Sequence, residues 1–227
     1  MIGLAVALAA TLGAHASRPA PVPRDEGACV PARAQGDFED ARFEAVLGAA
    51  TLRIRAADGS GTFSTGGRER PMRLPLPEGG LVEGLYVCAW RGDLVAVYAV
   101  TDGDSGWGHA TRLDGRTLAP RWVAPVAGFN VGEPLLTAGH LYVGAIGVVG
   151  KLDLDTGKYA WEHHGLYRSG GAYESFLRPR IENGHVLFPA RHPGRGRGDL
   201  PSALVVDDAT GRILEGAPPP ELDGGSP

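Results

Sequence analysis

Short runs of alternating apolar and polar residues, separated by turn-forming residues, fill the middle of the chain. In the clearest of them, apolar residues alternate with polar ones up to Asp153, a turn is expected over residues 155–158, and the alternation resumes with Tyr159 and Trp161. A period of two is typical of a β-strand whose two faces differ in polarity. This stretch therefore predicts a strand, a tight turn and a second strand.

The same hairpin signature recurs on either side of this stretch. A Thr follows the Asp by three residues, a Gly by four and a Trp by eight. The residues that fit are Asp153, Thr156, Gly157 and Trp161; Asp114, Thr117 and Trp122; and Asp207, Thr210 and Gly211. Asp and Thr side chains can accept hydrogen bonds from turn amides, Gly supplies a positive φ, and Trp buries a large surface. We expect these residues to have structural roles in a repeat.

A second signature precedes the first and extends the hairpin to a four-stranded unit. Pro134 is followed by Gly139-His140-Leu141-Tyr142-Val143, and Pro179 by Gly184-His185-Val186-Leu187-Phe188. Gly84-Leu85-Tyr86-Val87 is interpreted as a third copy that lacks the Pro and the His. The three aspartates of the hairpins are 39 and 54 residues apart, a spacing around that of one propeller blade.

These motifs resemble the PQQ-like (pyrroloquinoline-quinone-like) β-propeller repeats, whose blades end in Ala-x-Asp-x-x-Thr-Gly-x-x-x-Trp. The resemblance covers residues 80–216, and in that family the Trp docks on the neighbouring blade. The positions that depart from the pattern are Arg112, Lys151 and Val205 for Ala, Leu118 for Gly, and Glu215 for Trp. The resemblance implies an all-β protein, a PQQ-like β-propeller of about four antiparallel blades in an incomplete or irregular ring.

Residues 43–77 are interpreted as a degenerate first blade. Leu52 and Ile54 alternate with arginines, and a further alternating strand includes Met72. The Asp-x-x-Thr-Gly signature is missing from this stretch. Just before it, Asp37 is predicted to cap a short helix through Phe43 and Leu47.

The N-terminal residues indicate export. Residues 1–16 are an uncharged apolar run that ends in the small-x-small pattern Ala14-His15-Ala16, as in a signal peptide. The run is shorter than the roughly 20 residues that span a bilayer, so we expect no membrane span after leader cleavage. The predicted organisation is a signal peptide (1–16), a Pro-rich linker (17–36), a propeller-like domain (37–216) and a disordered tail (217–227), in a periplasmic or secreted protein.

Composition and the cysteines narrow the choice of partners and compartment. The formal charge of −4 and the pI near 6.0 give no reason to expect nucleic acid as a partner. Cys29 and Cys88 are the two cysteines, and export would allow a disulfide bond between them. The alternative is that Cys88, in an apolar run, is a buried free thiol.

Two segments resemble, in isolation, the Ser and His boxes of chymotrypsin-like proteases. They are Gly103-Asp104-Ser105-Gly106 and Leu136-Thr137-Ala138-Gly139-His140. Their order is the reverse of that family's, and Gly139-His140 already belongs to the repeat. Two turn segments are the alternative interpretation. The PQQ-like resemblance also raises quinone-dependent dehydrogenases, but the chain has neither an adjacent cysteine pair nor a recognisable calcium cage, and we expect no cofactor.

One loop is a candidate for anion binding. Arg191, His192, Arg195 and Arg197 are interleaved with glycines and a proline, and guanidinium groups with exposed amides can hold an anion. The alternative is a solvated loop that Gly keeps flexible. Neither Asp102 and Asp104 with His109, nor Glu162-His163-His164, has the spacing of a known metal motif, so we expect no metal.

The sequence favours a repeat scaffold over an enzyme. We expect an exported, non-catalytic binding or scaffold protein that contacts a protein or small ligand through loops at a propeller face, and self-association is also open because four blades is the low end of propeller sizes. The alternative is an enzyme, either a serine hydrolase that uses Ser105 or a relic of a quinone-dependent dehydrogenase.

Overall fold

The computed structural model of the chain describes residues 29–37, 40–166, 175–191 and 202–216. The predicted signal peptide and the predicted tail lie outside these ranges. The described residues form eighteen β-strands in four antiparallel sheets, with no α-helix among them. Consequently, none of the described segments is a helix of the length and apolarity that membrane crossing requires. The all-β prediction is confirmed.

Each sheet is one blade, and the blades follow one another along the chain. Blade 1 contains β2 (Arg33–Gln35), β3 (Arg42–Leu47), β4 (Ala50–Arg55), β5 (Ser60–Thr65) and β6 (Arg68–Arg73). Blade 2 contains β1 (Cys29–Pro31), β7 (Leu81–Trp90), β8 (Asp93–Thr101), β9 (Gly106–Leu113) and β10 (Pro120–Val126). Blade 3 contains β11 (Leu135–Leu136), β12 (His140–Ala145), β13 (Val148–Asp153) and β14 (Tyr159–His163). Blade 4 contains β15 (Arg180–Glu182), β16 (His185–Pro189), β17 (Ala203–Asp207) and β18 (Ile213–Glu215).

Blade 1 confirms the degenerate first unit and corrects the helix predicted after Asp37. Residues 42–47 form a strand, in which Phe43, Ala45 and Leu47 are buried while alternate residues point outward. This spacing has a period of two, whereas a helix would bury residues three or four apart. The apolar period therefore outweighed the capping signal of Asp37.

Residues 29–35 also correct the predicted linker, because they form two edge strands. Strand β1 pairs antiparallel with β7, and β2 pairs with β3. Cys29 lies opposite Cys88 in this register and is bonded to it by a disulfide. An edge strand tolerates Pro31 because one side of its backbone needs no partner. The disulfide thus ties the start of the described chain to the edge of blade 2.

The strand register corrects the third copy of the Gly-x-apolar motif. Leu141 pairs with the residue before Asp153, and Leu94 pairs with the residue before Asp114. The equivalent of Gly139 in blade 2 is therefore Gly92, followed by Asp93 where the other copies have His. Gly84 instead lies at a register shift in β7, one strand earlier. The two segments look alike because both place Gly before an apolar strand.

Three hydrophobic clusters hold the four blades together, one between each consecutive pair. Phe63 and Tyr98 represent the cluster between blades 1 and 2, Trp90 and Val143 that between blades 2 and 3, and Phe188 that between blades 3 and 4. We call each such contact a joint. No cluster of the described residues connects blade 4 to blade 1. The blades therefore form an open arc with three joints.

Candidate functional site

The repeat hairpins are built as the sequence predicts. Asp153 accepts hydrogen bonds from the amide of Thr156 at 2.8 Å and from its hydroxyl at 2.8 Å. Asp114 and Asp207 make the same pair of bonds to Thr117 and Thr210. The bonds from Thr156 hold the pKa of the Asp153 carboxyl below its usual range. Each hairpin is therefore a preformed turn with a fixed row of carbonyl groups.

Each of the two repeat tryptophans docks on the hairpin of the next blade. The indole nitrogen of Trp122 donates to the carbonyl of Leu154 at 2.9 Å, and that of Trp161 donates to the carbonyl of Asp208 at 3.0 Å. A Cβ atom built on Gly157 or Gly211 would lie 2.6 Å from the docked indole. Glycine is thus required for two reasons: the backbone has a positive φ, and the indole packs where a side chain would lie.

Two of the three residues that depart from the family's Ala position are part of the same contact. Arg112 pairs with Trp122 across β9 and β10, and Lys151 pairs with Trp161 across β13 and β14. Arg112 Nη1 donates to the Leu154 carbonyl at 3.0 Å, and Lys151 Nζ to the Asp208 carbonyl at 3.0 Å. One carbonyl of the following hairpin therefore receives both an indole and a cation.

Blade 1 makes a similar contact, but the aromatic residue and the cation have exchanged strands. Phe63 on β5 is paired with Arg70 on β6, and the guanidinium carbon of Arg70 is 5.3 Å from the centroid of the Phe63 ring. Arg70 Nη2 donates to the carbonyl of Gly115 at 3.1 Å, the residue that follows Asp114. No indole covers this hairpin, so Leu118 replaces Gly with a φ of 62° and is buried. Sequence reasoning missed Arg70 because blade 1 lacks the hairpin signature.

Blade 4 has neither partner of this contact. Its register places Val205 opposite Glu215, as Lys151 is opposite Trp161. Glu215 is exposed and Val205 is partly exposed. The strand register of the third copy therefore matches that of the second, although blade 4 lacks the indole and the cation.

The two ends of the blades differ in what they carry. The repeat hairpins, residues 153–158 among them, lie at one end, which we call the hairpin end. The connections between blades lie at the opposite end, the connection end, and comprise residues 74–80, 127–134 and 164–179. Strand β16 ends and strand β17 begins at this end as well. Long connections at one end are where repeat folds usually place their binding residues.

Four polar side chains from three blades meet toward the connection end. Arg178 Nη1 lies 3.5 Å from Glu133 Oε1, and these residues precede β15 and β11 respectively. The side chain of Arg191, which follows β16, lies near enough to Tyr86 of blade 2 to influence the pKa of its hydroxyl. Burial and the charge of Glu133 raise the pKa of the Tyr86 hydroxyl, which Arg191 partly counteracts. We call these four residues the inter-blade cluster.

The structure separates the two protease-like segments. Ser105 lies in the turn between β8 and β9, at the connection end, where its amide donates to Asp102 Oδ1 at 2.7 Å. His140 begins β12 at the hairpin end and is paired with Asp153. A nucleophile and its base must lie within hydrogen-bond reach. These two residues face opposite ends of their blades, and the turn interpretation of both segments fits their backbone bonds.

Some of the remaining candidate residues lie within the described ranges, and others lie outside them. Of the predicted anion-binding loop, only Arg191 is described; His192, Arg195 and Arg197 lie outside the described ranges. No group of three or more His, Cys, Asp or Glu side chains that could hold a metal ion occurs among the described residues. Asp102 caps its own turn, and the ring of His109 stacks on Tyr98 with centroids 5.4 Å apart.

Comparison with known proteins finds no matching family model and no matching curated protein. The chain is similar to solved structures at low identity. They include the computationally designed Ika4 protein (15% identity, TM-score 0.46, covering 71% of this chain and 87% of that one). They also include the quinohemoprotein alcohol dehydrogenase ADHIIG of Pseudomonas putida HK5 (14% identity, TM-score 0.49, 87% and 37%) and BamB of Moraxella catarrhalis (17% identity, TM-score 0.33, 75% and 62%).

These likenesses carry no argument about activity. The chain spans 37% of the Pseudomonas enzyme and 19% of a quinohemoprotein alcohol dehydrogenase of Comamonas testosteroni. The fold itself is defined by the four antiparallel blades and their joints. The described residues form a β-propeller arc of four blades, and their repeat residues resemble the PQQ-like pattern.

Proposed function

We propose that this protein is an exported, non-catalytic binding or scaffold protein of the PQQ-like propeller type, and that it holds its partner at the connection end. The inter-blade cluster is the observation that carries the proposal. It joins side chains from blades 2, 3 and 4 at the end with the long connections. A surface assembled from several rigid blades can present fixed donors and acceptors to a partner without further ordering.

The chemistry of the cluster fits recognition better than catalysis. Arg178 and Arg191 are cations that can form paired hydrogen bonds to carboxylates or carbonyls of a partner. Glu133 adds a hydrogen-bond acceptor, and the Tyr86 hydroxyl adds a group that can both donate and accept. A protein segment with acidic and amide groups, or a small ligand of that polarity, would satisfy this set. Arg191, the first residue of the predicted anion-binding loop, is also a member of this cluster.

Export is supported by the disulfide and by the apolar N-terminal residues. The bond between Cys29 and Cys88 closes 59 residues, and such bonds persist in oxidising compartments. Expression of the full chain in a bacterial host, followed by N-terminal sequencing of the periplasmic fraction, tests this part. Cleavage after Ala16 is expected, whereas recovery of the uncleaved chain in the cytoplasm contradicts export.

The binding role is tested by site-specific photo-crosslinking with an extract of the source organism's envelope. A photoreactive residue in place of Leu177, beside the cluster, should capture a partner, whereas one in place of Thr156, at the hairpin end, should not. Arg178→Glu should abolish the capture, and Arg212→Glu, an exposed change at the hairpin end, is the matched control. Equal capture at both ends would overturn the assignment of the binding face.

The enzyme alternatives have their own tests. A serine-reactive fluorophosphonate should leave Ser105 unlabelled, and Ser105→Ala serves as the blank. Titration with pyrroloquinoline quinone in the presence of Ca²⁺ should give no stoichiometric uptake. Labelling at Ser105 or uptake of one cofactor per chain would replace the proposal with the corresponding enzyme.

A further inference from the structure

The arc has two faces that no blade of the described chain covers. On blade 4, the face opposite the joint with blade 3 carries the row Arg180, Leu187, Val205 and Glu215, linked by strand register. On blade 1, the face opposite the joint with blade 2 carries rows that include Arg42 with Arg55 and Glu44 with Arg53. These two free faces correspond to the two halves of an internal joint. The blade 4 face corresponds to the side that carries the tryptophan, which we call the plug. The blade 1 face corresponds to the side whose hairpin accepts it.

The hairpin of blade 1 that corresponds to the tryptophan-binding hairpins of blades 3 and 4 has open space beside its glycine. Gly66 and Gly67 join β5 to β6 with φ values of 57° and 73°. A Cβ atom built on Gly67 would meet nothing within 4 Å, whereas one on Gly157 or Gly211 would strike an indole at 2.6 Å. The plug position of blade 4 is Glu215, which is likewise exposed. The hairpin of blade 1 and the Glu215 position of blade 4 are therefore both uncovered within the described chain, although blade 4 lacks the indole and the cation of the internal joints.

The two free faces have opposite charge. The blade 1 face carries Arg33, Arg42, Arg53, Arg55 and Arg73 against Glu44, Asp58 and Glu69. The blade 4 face carries Glu182, Asp207 and Glu215 against Arg180. Arg42 lies directly opposite Arg55, an arrangement of like charges that is unfavourable unless an anion approaches.

A second copy of the chain matches these features. We propose that two copies close head to tail, with the blade 4 face of each seated on the blade 1 face of its partner, to give a ring of eight blades. Within one copy the free faces are not joined by a core, and Leu187 and Val205 stay partly exposed. Two identical contacts of this kind form a closed ring, since each copy offers one plug face and one receiving face.

The contact should be polar at blade 1 and weakly apolar at blade 4. Arg53 is already bonded to Glu44 at 2.7 Å, and Arg55 Nη2 lies 3.5 Å from Asp58 Oδ2, so Arg42 is the principal cation expected to meet Glu215. Opposite charges on the two faces speed encounter and fix orientation more than they add affinity. We therefore expect a reversible pairing that weakens as salt is added, because exposed charges are screened.

Sedimentation velocity of the exported chain is the first test. A single monomer species at low concentration should shift toward twice the mass as the concentration rises through the micromolar range, the weak end of interfaces of ordinary size. Glu215→Arg should raise the dissociation constant about tenfold or more, and Glu78→Arg, an exposed charge change in the connection from β6 to β7, should leave it unaltered. A monomer at every concentration, or growth into long filaments, would overturn the closed pair.

Cysteine cross-linking identifies the faces and excludes closure within one chain. The variants Arg53→Cys and Val205→Cys each add one free thiol beside the existing disulfide. Mixed under mild oxidation, they should give a band of twice the chain mass that neither variant gives alone as efficiently. If the doubly substituted chain cross-links only within itself, blade 4 closes on its own blade 1 and the inference fails. These outcomes do not depend on the partner at the connection end.

Discussion

Blades 3 and 4 have the same strand order and hairpin, yet within the described residues only blade 3 is followed by another blade. At the same register positions, blade 3 carries Lys151 and Trp161, and blade 4 carries Val205 and Glu215. Both residues change together, because both serve one carbonyl of a following hairpin. The difference shows that the hairpin is a property of the blade, whereas the cation and the aromatic ring are properties of the joint.

Blade 1 also has an aromatic residue and a cation where it meets another blade and charged residues on the face that no blade covers. Its joint face carries an aromatic ring and a cation, Phe63 and Arg70, although it lacks the hairpin signature. Its free face is polar, with Arg53 held between Glu44 at 2.7 Å and Glu69 at 3.8 Å. Terminal repeats of an array need such a polar outer face to remain soluble. The arc thus carries a joint wherever two blades meet and charged residues where they do not.

The largest effect is expected when a joint loses its ring. Trp161 is buried, donates to the Asp208 carbonyl at 3.0 Å and packs edge-on against Phe188. Trp161→Ala should lower the free energy of unfolding by about 3 to 5 kcal/mol, the range for large aromatic truncations. Urea denaturation followed by far-ultraviolet circular dichroism measures it. A loss below about 1 kcal/mol, as for ordinary surface changes, would mean that the ring does not hold blades 3 and 4 together.

A smaller but more specific effect separates an occupied seat from a vacant one. Gly211→Ala forces a Cβ atom to 2.6 Å from Trp161 at a φ of 75°, and should cost about 2 to 4 kcal/mol from overpacking and backbone strain together. Gly67→Ala has a φ of 73° and open space around its Cβ, so only the strain of about 1 kcal/mol remains. Equal losses for the two variants in urea melts would show that the indole does not occupy the seat.

Features formed by residues close together in the sequence could be predicted, whereas features formed by distant residues could not. The hairpins of Asp114, Asp153 and Asp207 were predicted correctly because every bond that forms them is local. The pairing of β1 with β7 could not be read from a Pro-rich segment, since its partner is 59 residues away at Cys88. Its cysteines gave only a choice between a bridge and a free thiol.

The contacts of the joints and of the inter-blade cluster could not be predicted from local sequence patterns for the same reason. Arg112 and Lys151 were visible as departures from the family pattern, but their acceptors lie in the next blade, at Leu154 and Asp208. Arg178 and Glu133 come from different blades and share no motif. Such contacts depend on how the blades are arranged, which the spacing of residues within one blade does not specify.

The first joint should respond to pH in a way that the other two do not. His109 lies beside Tyr98 on the face of blade 2 that meets blade 1, and neither of its ring nitrogens has a hydrogen-bond partner within the described structure. Burial lowers the pKa of His109 from 6.5. The unfolded chain therefore binds a proton at this residue before the folded chain does, and stability falls as the pH drops below about 6.5.

Urea midpoints at pH 7.5 and pH 5 measure this response. His109→Phe should reduce the loss on acidification, whereas His164→Phe, at a half-exposed side chain, should not. The hairpin carboxyl groups do not confuse the result, because the pKa values of Asp114, Asp153 and Asp207 are lowered from 3.8 and titrate in a more acidic range. An unchanged pH response in His109→Phe would exclude this histidine as its source.

The smallest effect is expected at Glu215, which occupies in blade 4 the position that Trp161 has in blade 3. Its side chain is exposed and forms no ion pair within the described residues, so Glu215→Ala should change the free energy of unfolding by less than about 1 kcal/mol, as surface substitutions do. The measurement should use dilute protein, below the concentration at which copies associate, so that folding alone is observed. A loss as large as that of Trp161→Ala would show that a covered surface exists at blade 4 within a single chain. A small loss in dilute protein, together with weaker association of concentrated protein, would instead place the role of Glu215 between copies.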